Sequence, residues 1–285
     1  MMNPLKFSGY LLSVIGLACV TATPQATLSS SRVINDPRPL SEVADLLEQT
    51  YAKPITYEES MWVWEGDLQP LGTDRNAKWG YIPKYEQLVL PGPVSDKQDL
   101  GSTLNQIVSA YHNRSEGARF RVIRSSLGFH IVPLQGHDRW GTLGPASSLL
   151  DASISVPIEE RTASDHMRAL CTAVSAATGT ELRFFFAVFR SSFDQLFAAQ
   201  PGTFSWGVSG SVARDALIDL VNQSATTVSW RLFCQASAQP QDRFCVLNVS
   251  PIVVNVVDAN GNATKKLITY DRCGKCPHLF LPPAK

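Results

Sequence analysis

The chain has six cysteines, and their spacing offers its clearest opportunity for chemistry. Cys273 and Cys276 are two residues apart, which suits a redox pair, half of a zinc site or a local structural disulfide. A thioredoxin-like pair opens a helix in an α/β unit, whereas this motif follows a strand-like run and precedes Pro277. Zinc would need two further ligands, of which only His278 is close in sequence. These interpretations stay open. The first of them, a redox pair, would make this a thiol-active protein.

A second cysteine pair lies on two predicted strands. Residues 228–235 and 244–249 alternate apolar and polar side chains, and a hairpin between them sets Cys234 opposite Cys245. In an oxidising compartment the two can form a disulfide across the strands. The alternative is a pair of buried free thiols. Cys171 lies on the apolar side of a predicted helix and is expected in the core.

An aromatic segment, residues 61–93, could provide a binding surface. It has weak periodicity and many glycines and prolines, and it carries Trp62, Trp64, Trp79 and Tyr81. A long connection of this kind is typical of a binding loop, here for a small ligand or a glycan. The alternative is that the tryptophans cover the open side of a small core.

Other motifs do not add up to a catalytic site. The segment 206–211 approximates a nucleophile elbow, but its second glycine comes one place early and no spaced His and Asp accompany it. The segment is better explained as a helix start capped by Ser211. No glycine-rich phosphate loop is present, and the histidines share no metal-ligand spacing, so we expect no enzyme activity, no cofactor and no metal. Two glutamate pairs are predicted to be solvated: Glu58 and Glu59, and Glu159 and Glu160.

Amphipathic helices must position these residues. Apolar side chains recur at helical spacing in four segments, and each needs a sheet or a helix to cover its apolar face. Ser164 is predicted to cap the third helix at its start and Gly179 at its end. The four predicted helices are 40–50, 99–111, 164–178 and 212–222.

The order of elements occurs twice. Each half has a helix, a strand, an insertion, a second helix and a closing hairpin. We therefore predict an α+β protein with two tandem β-α-β-β-α-β-like modules and a C-terminal β-hairpin. The modules are 32–135 and 151–252, with a linker at 136–150 and the hairpin and CxxC tail at 253–285.

The first residues are typical of an export signal. Lys6 precedes an apolar run at 10–20, and small residues follow near Ala22. This run is shorter than the roughly 20 residues of a membrane span. We expect a signal peptide at 1–22, a polar linker at 23–31 and a periplasmic or extracellular mature chain without a transmembrane segment. A lipid anchor at Cys19 is the alternative.

The balance of charges restricts the classes of partner that the chain can attract. Lys and Arg total 25, equal to Asp and Glu, so no overall field attracts nucleic acid or an anionic membrane.

Two stretches resemble a known family. Residues 39–47 (PLSEVADLL) and 211–221 (SVARDALIDLV) are similar to helices of the secretin and TonB short N-terminal domain. The resemblance extends over about 33–133 and 154–252, although the segment between the helices is longer here. It implies exported domains that pack against other proteins rather than an enzyme.

The sequence therefore predicts an exported, non-enzymatic interaction or assembly protein with a protein partner in the cell envelope. The alternatives are a ligand- or glycan-binding protein that uses the tryptophans, and a thiol-active protein that uses Cys273 and Cys276.

Overall fold

The computed structural model describes residues 32–70, 81–90, 92, 97–115, 117–186, 190–197, 202–235, 243–257, 262–270 and 277–279. The predicted α+β class is confirmed, with five α-helices and sixteen strands in these ranges. The helices are α1 (Pro39–Tyr51), α2 (Leu100–His112), α3 (Ala163–Thr178), α4 (Arg190–Leu196) and α5 (Ala213–Val221).

The strands of the first half are β1 (Val33–Asp36), β2 (Ile55–Glu58), β3 (Leu68–Pro70), β4 (Tyr81–Pro83), β5 (Glu86–Val89), β6 (Arg119–Arg124), β7 (Phe129–His137) and β8 (Leu143–Pro145). Those that follow are β9 (Ser153–Arg161), β10 (Glu181–Phe186), β11 (Phe204–Val212), β12 (Val228–Cys234), β13 (Phe244–Pro251), β14 (Val253–Val257), β15 (Ala263–Tyr270) and β16 (Pro277–Leu279).

Local signals explain where the helices begin and end. Pro39 starts α1, where its missing N–H is not needed. Asp99 caps α2 by accepting a hydrogen bond from the Ser102 N–H at 2.8 Å. Gly179 ends α3 at φ 68°, a left-handed conformation that glycine adopts without strain.

Two predicted caps are wrong. The cap of α3 is Thr162, whose hydroxyl accepts from the Asp165 N–H, and Ser164 lies inside the helix. Helix α5 follows Val212, and no side chain caps it. Strand β11 runs to Val212, so the predicted cap Ser211 belongs to a strand.

A seven-stranded sheet extends through both halves. Its order is β10-β13-β12-β2-β7-β6, and β8 also pairs with β7. The central contact joins β12 to β2 in parallel, with Arg231 opposite Tyr57 and Leu232 opposite Glu58. The two halves are therefore connected by backbone hydrogen bonds of one continuous sheet.

The halves repeat one topology. The order in the first is β1-α1-β2, then β5-α2-β6-β7, and in the second β9-α3-β10, then β11-α5-β12-β13. In each half the first strand pairs antiparallel with the strand before the second helix, β1 with β5 and β9 with β11. The remaining three strands form the units β2-β7-β6 and β10-β13-β12. Each half thus has five strands in this repeated topology, one more than the predicted module, because both strands of the closing hairpin join the sheet.

The helices of the two halves cover opposite faces of this sheet. On β2, Ile55 and Tyr57 face the core formed with α1 and α2, whereas Glu58 contacts Arg214 of α5. On β12, Trp230 and Leu232 belong to the second core, whereas Arg231 contacts α1. Alternate side chains of adjoining strands thus serve different cores.

Each half has its own apolar core. The first is built on residues that include Leu40, Leu47, Leu104, Ile107 and Ile131, and the second on Met167, Leu170, Leu217, Trp230 and Leu247. A third, small cluster joins the C-terminal strands: Ile252, Val254, Val256 and Ile268, with Ala52 packed against it. In the predicted C-terminal hairpin, β14 pairs with β15 and β15 with β16.

The predicted linker 136–150 is not an irregular connection. Its first two residues complete β7, β8 follows within it, and a 3₁₀ turn begins at Leu149. Leu150 is buried in the second core. The aromatic segment 61–93 likewise contains β3, β4 and β5, of which β3 and β4 pair antiparallel.

Candidate functional site: the junction between the halves

The densest group of buried charges lies where β12 meets β2. Glu58 is the last residue of β2 and is fully buried. Its two carboxylate oxygens accept hydrogen bonds from Arg214 Nε at 2.8 Å and Nη2 at 2.6 Å. The Trp230 indole N–H adds a third at 3.3 Å. A buried carboxylate needs such partners, because desolvation of an unpaired charge is very costly.

Arg214 is held from a second side by Asp151, at 2.7 Å. Burial by itself lowers the pKa of Arg214, but hydrogen bonds and the charges of Glu58 and Asp151 raise it above the usual value. The guanidinium therefore stays protonated and links α5 to β2.

Arg231 makes the corresponding link in the other direction. From β12 its guanidinium reaches α1, where Nη2 lies 2.5 Å from Asp45 and 3.0 Å from Glu48. Nη1 donates to the carbonyl of Ile55 at 2.8 Å. Arginine suits this position, since its planar fork donates several bonds at once.

Glu59 completes the junction just after β2. It is fully buried and accepts hydrogen bonds from Arg38 Nε at 2.6 Å and from the Cys234 N–H at 2.8 Å. The Arg38 guanidinium also lies over the Phe233 ring, 4.8 Å from its centre. The prediction that Glu58 and Glu59 are solvated is therefore wrong, whereas Glu159 and Glu160 are exposed as expected.

His130 on β7 lies beside the same network. Its ring stacks on Trp230 with centres 5.2 Å apart, and its nitrogens hydrogen-bond the hydroxyls of Thr56 and Ser125. Burial, together with the charge of Arg214, lowers the pKa of His130 to about 4. The ring is thus neutral at physiological pH and acts as a polar spacer beside the junction.

A disulfide joins the two strands at the edge of the second core. Cys234 and Cys245 are directly opposite in the ladder and are bonded to each other. Met61 Sδ lies 3.3 Å from Cys245 Sγ, so the start of the aromatic segment packs on this bridge. Cys171 is a buried free thiol, and its burial raises its pKa to about 12, which makes it unreactive.

Trp62 and Trp64, the two tryptophans of the aromatic segment that the structure describes, lie mostly against protein. Trp62 packs on both cores. The Trp64 ring meets His137 edge-on, with centres 4.5 Å apart. A Cβ on Gly66 or Gly141 would come within 3 Å of the Trp64 ring, so both positions require glycine for this contact.

A cavity of about 280 Å³ remains beside these rings. Trp62, Trp64, Lys84, Glu86 and His137 are among its lining residues. Within the described part of the chain, the buried Trp62 Nε1 and Glu86 Oε2 have no hydrogen-bond partner.

The other predicted site residues are not gathered there. Tyr81 is 48% exposed and does not line the cavity, and Trp79 lies outside the described residues. Cys273 and Cys276 also lie outside them, so neither thiol chemistry nor their pairing is described.

Two features are absent from the described ranges of the chain. There, no three His, Cys, Asp or Glu side chains are grouped so that they could hold a metal ion. Nor does any helix in those ranges combine the length and apolar character that crossing a membrane requires.

The arrangement is suited to holding the halves together. Each buried carboxylate already accepts hydrogen bonds from a guanidinium, and each ion pair except Arg38–Glu59 and Arg214–Asp151 crosses from one half to the other. One signal in the sequence pointed to this junction. Arg231 interrupts an apolar strand, and an arginine there needs a buried acidic partner.

No family model, curated protein or solved structure matches this chain.

Proposed function

We propose that this chain is an exported, non-enzymatic interaction or assembly protein of the cell envelope. The observation that carries the proposal is that the buried charged residues of the junction pair with one another. The buried carboxylates and arginines of the junction bind each other across the two halves, and their role is to make one rigid sheet. A rigid sheet with unpaired edge strands is a surface on which another protein can add a strand.

Export is supported by the cysteine chemistry. Disulfides such as Cys234–Cys245 persist in the periplasm and outside the cell and are rare in a reducing cytosol. The signal-like segment 1–22 supports the same compartment. So does the resemblance of 39–47 and 211–221 to the secretin and TonB short N-terminal domain.

Exposed apolar side chains provide contact points away from the junction. Ile158 on β9 is 75% exposed, Trp140 between β7 and β8 is 71% exposed, and Phe185 on β10 is 56% exposed. They lie on different parts of the molecule, which suits a protein with more than one contact.

In-cell crosslinking tests the proposal. A photo-crosslinking amino acid is placed at Ile158, Trp140 or Phe185, and the irradiated envelope fraction is analysed by mass spectrometry. We expect one or more positions to give a crosslink to a defined protein, while Glu160, an exposed polar neighbour, gives none. Absence of protein crosslinks at all three positions would refute the proposal.

A second function is favoured by the cavity beside Trp62 and Trp64. A small polar ligand or a glycan could stack on the indoles and bond the unpaired Trp62 Nε1 and Glu86 Oε2. Tryptophan fluorescence titrated with a glycan panel tests this. A ligand response that disappears in Trp62→Phe supports binding, and no response across the panel excludes it for those glycans.

A further inference from the structure

The two halves of the sheet are related by a symmetry operation that does not form a closed pair. The unit β10-β13-β12 is followed by β2-β7-β6, so the third strand of one unit pairs with the first strand of the other. The pairing is parallel, and the helices lie on opposite faces of the sheet. A half-turn combined with a step along the sheet produces this arrangement. It is a head-to-tail relation, which leaves one outer edge of each kind that pairs inside, whereas a twofold would leave two identical edges.

The two outer strands match the two that pair inside. Strand β6 occupies the place of β12, and β10 that of β2, and among the described strands each has a neighbour on one side only. Corresponding rows follow from the ladders. Tyr57, Ile131 and Val122 lie in one row. Phe184, Leu247 and Leu232 lie in the other.

The helix-to-strand contact repeats as well, which fixes the correspondence of residues. The Ile55 N–H donates to the Glu48 side chain, and the Leu182 N–H donates to the Ser175 side chain, both at 2.8 Å. Glu58 therefore corresponds to Phe185. By the same rows, Arg231 corresponds to Arg121.

At the outer edges, both members of the inner ion pair are replaced by uncharged residues. Inside, Glu58 meets Arg214, the second residue of α5. At the outer edges Phe185 replaces the glutamate, and Gly101, the second residue of α2, replaces the arginine. A Cβ on Gly101 would lie 3.2 Å from the Phe129 ring. Neither outer edge therefore carries the charge of its inner counterpart at these two positions: Phe185 is an exposed apolar residue, and Gly101 lies against the Phe129 ring.

We propose that copies of this chain associate head to tail, with β10 of one copy pairing in parallel with β6 of the next. Val122 then lies opposite Phe185, and Arg121 opposite Phe184, as Leu232 and Arg231 lie opposite Glu58 and Tyr57 inside. The inference rests on the proposed assembly function and names a second copy as the partner.

This association is weaker than the internal junction. Arg121 has no counterpart of Asp45 and Glu48, because the corresponding positions on α3 are Thr172 and Ser175. It can still donate to the Leu182 carbonyl, as Arg231 does to Ile55. Neutral partners make the contact reversible, so assembly depends on protein concentration.

Sedimentation velocity of the exported chain at increasing concentration tests the inference. The wild type is expected to shift to larger species, and Phe185→Glu to remain monomeric, with an apparent dissociation constant at least about tenfold higher. The matched control is Ile158→Glu, also an exposed apolar strand residue, on β9, which should behave like the wild type. Circular dichroism checks that each variant is folded.

A rescue variant makes the test specific. Gly101→Arg combined with Phe185→Glu recreates, between molecules, the ion pair that Glu58 and Arg214 form inside, and should restore the larger species. A wild type that stays monomeric at all concentrations, or a Phe185→Glu variant that associates equally well, would overturn the inference. If crosslinks to another envelope protein persist in that case, the proposed function still stands.

Discussion

Arg214 of the second half donates two hydrogen bonds, of 2.8 and 2.6 Å, to the fully buried carboxylate of Glu58 in the first. The residues are 156 positions apart in sequence. Their pairing supports the backbone contact of β12 with β2, because it fixes β2 against the second core.

Removal of this carboxylate should destabilise the whole chain. Glu58→Ala leaves the Arg214 charge buried with only Asp151 as a partner, and we expect a loss of about 3–5 kcal/mol in the free energy of unfolding. Urea denaturation followed by fluorescence measures it. The control is Glu181→Gln, which breaks an exposed pair with Arg183 and should not change stability measurably. An equal effect of both variants would contradict the assigned role.

Replacement of both partners should cost less than replacement of one. Glu58→Met combined with Arg214→Met removes the two charges together, so no buried charge stays unpaired. We expect the double variant to be more stable than Glu58→Ala, by urea denaturation. A double variant that is less stable would show that these residues act independently.

The free energy of unfolding should fall as the pH is lowered, because His130 becomes protonated. The folded pKa is about 4, below the usual 6.5, so the unfolded chain binds the proton more readily. The stabilising effect is complete above pH 6.5 and is lost as pH falls from 6.5 to 4. At 1.36 kcal/mol per pKa unit this is roughly 3 kcal/mol. The measurement is urea denaturation across that range.

His130→Gln is the matched variant for the pH effect. It keeps hydrogen-bonding groups near Thr56 and Ser125 but has no proton to bind in this window. The part of the pH slope due to His130 should therefore disappear. An unchanged slope would assign the acid sensitivity to other groups.

The Cys234–Cys245 disulfide should stabilise the folded chain by restricting the unfolded one. Cys234 and Cys245 are 11 positions apart, and a loop of this size corresponds to roughly 3 kcal/mol on the chain-entropy estimate. Cys234→Ala with Cys245→Ala should lower the free energy of unfolding by about this amount. Reductant should lower the stability of the wild type and leave that of the double variant unchanged, if the effect comes from this bridge.

The Cys171 thiol should be unreactive in the folded chain. Its burial raises its pKa to about 12, so almost no thiolate is present at neutral pH. Iodoacetamide labelling followed by peptide mass spectrometry should find Cys171 modified in urea and unmodified without it. Rapid labelling of the native chain would place this thiol outside the core.

Local patterns predicted much of the fold. The apolar stripe of α1 and the Gly179 end of α3 follow from helix periodicity and capping. The opposed positions of Cys234 and Cys245 follow from the alternation of two strands across one hairpin.

The junction was not predictable in the same way. It depends on β12 pairing with β2, a contact between distant segments that leaves no periodic signal. Glu58 and Glu59 look like ordinary surface charges until that pairing buries them. The cap of α3 was misplaced for a local reason, since Thr162 and Ser164 are both capable hydroxyl residues two places apart.

The proposed head-to-tail contact joins the two outer edges of the sheet, β10 of one copy and β6 of the next. The most direct measurement is sedimentation velocity of Phe185→Glu, Gly101→Arg and an equimolar mixture of the two. Each variant alone has only mismatched contacts and should be monomeric. In the mixture, the edge of one variant with the introduced carboxylate can meet the edge of the other with the introduced guanidinium, and the remaining two edges are unaltered. The two kinds of contact can alternate along an assembly, so large species should reappear. A mixture that sediments as monomer while the wild type assembles would contradict the claim.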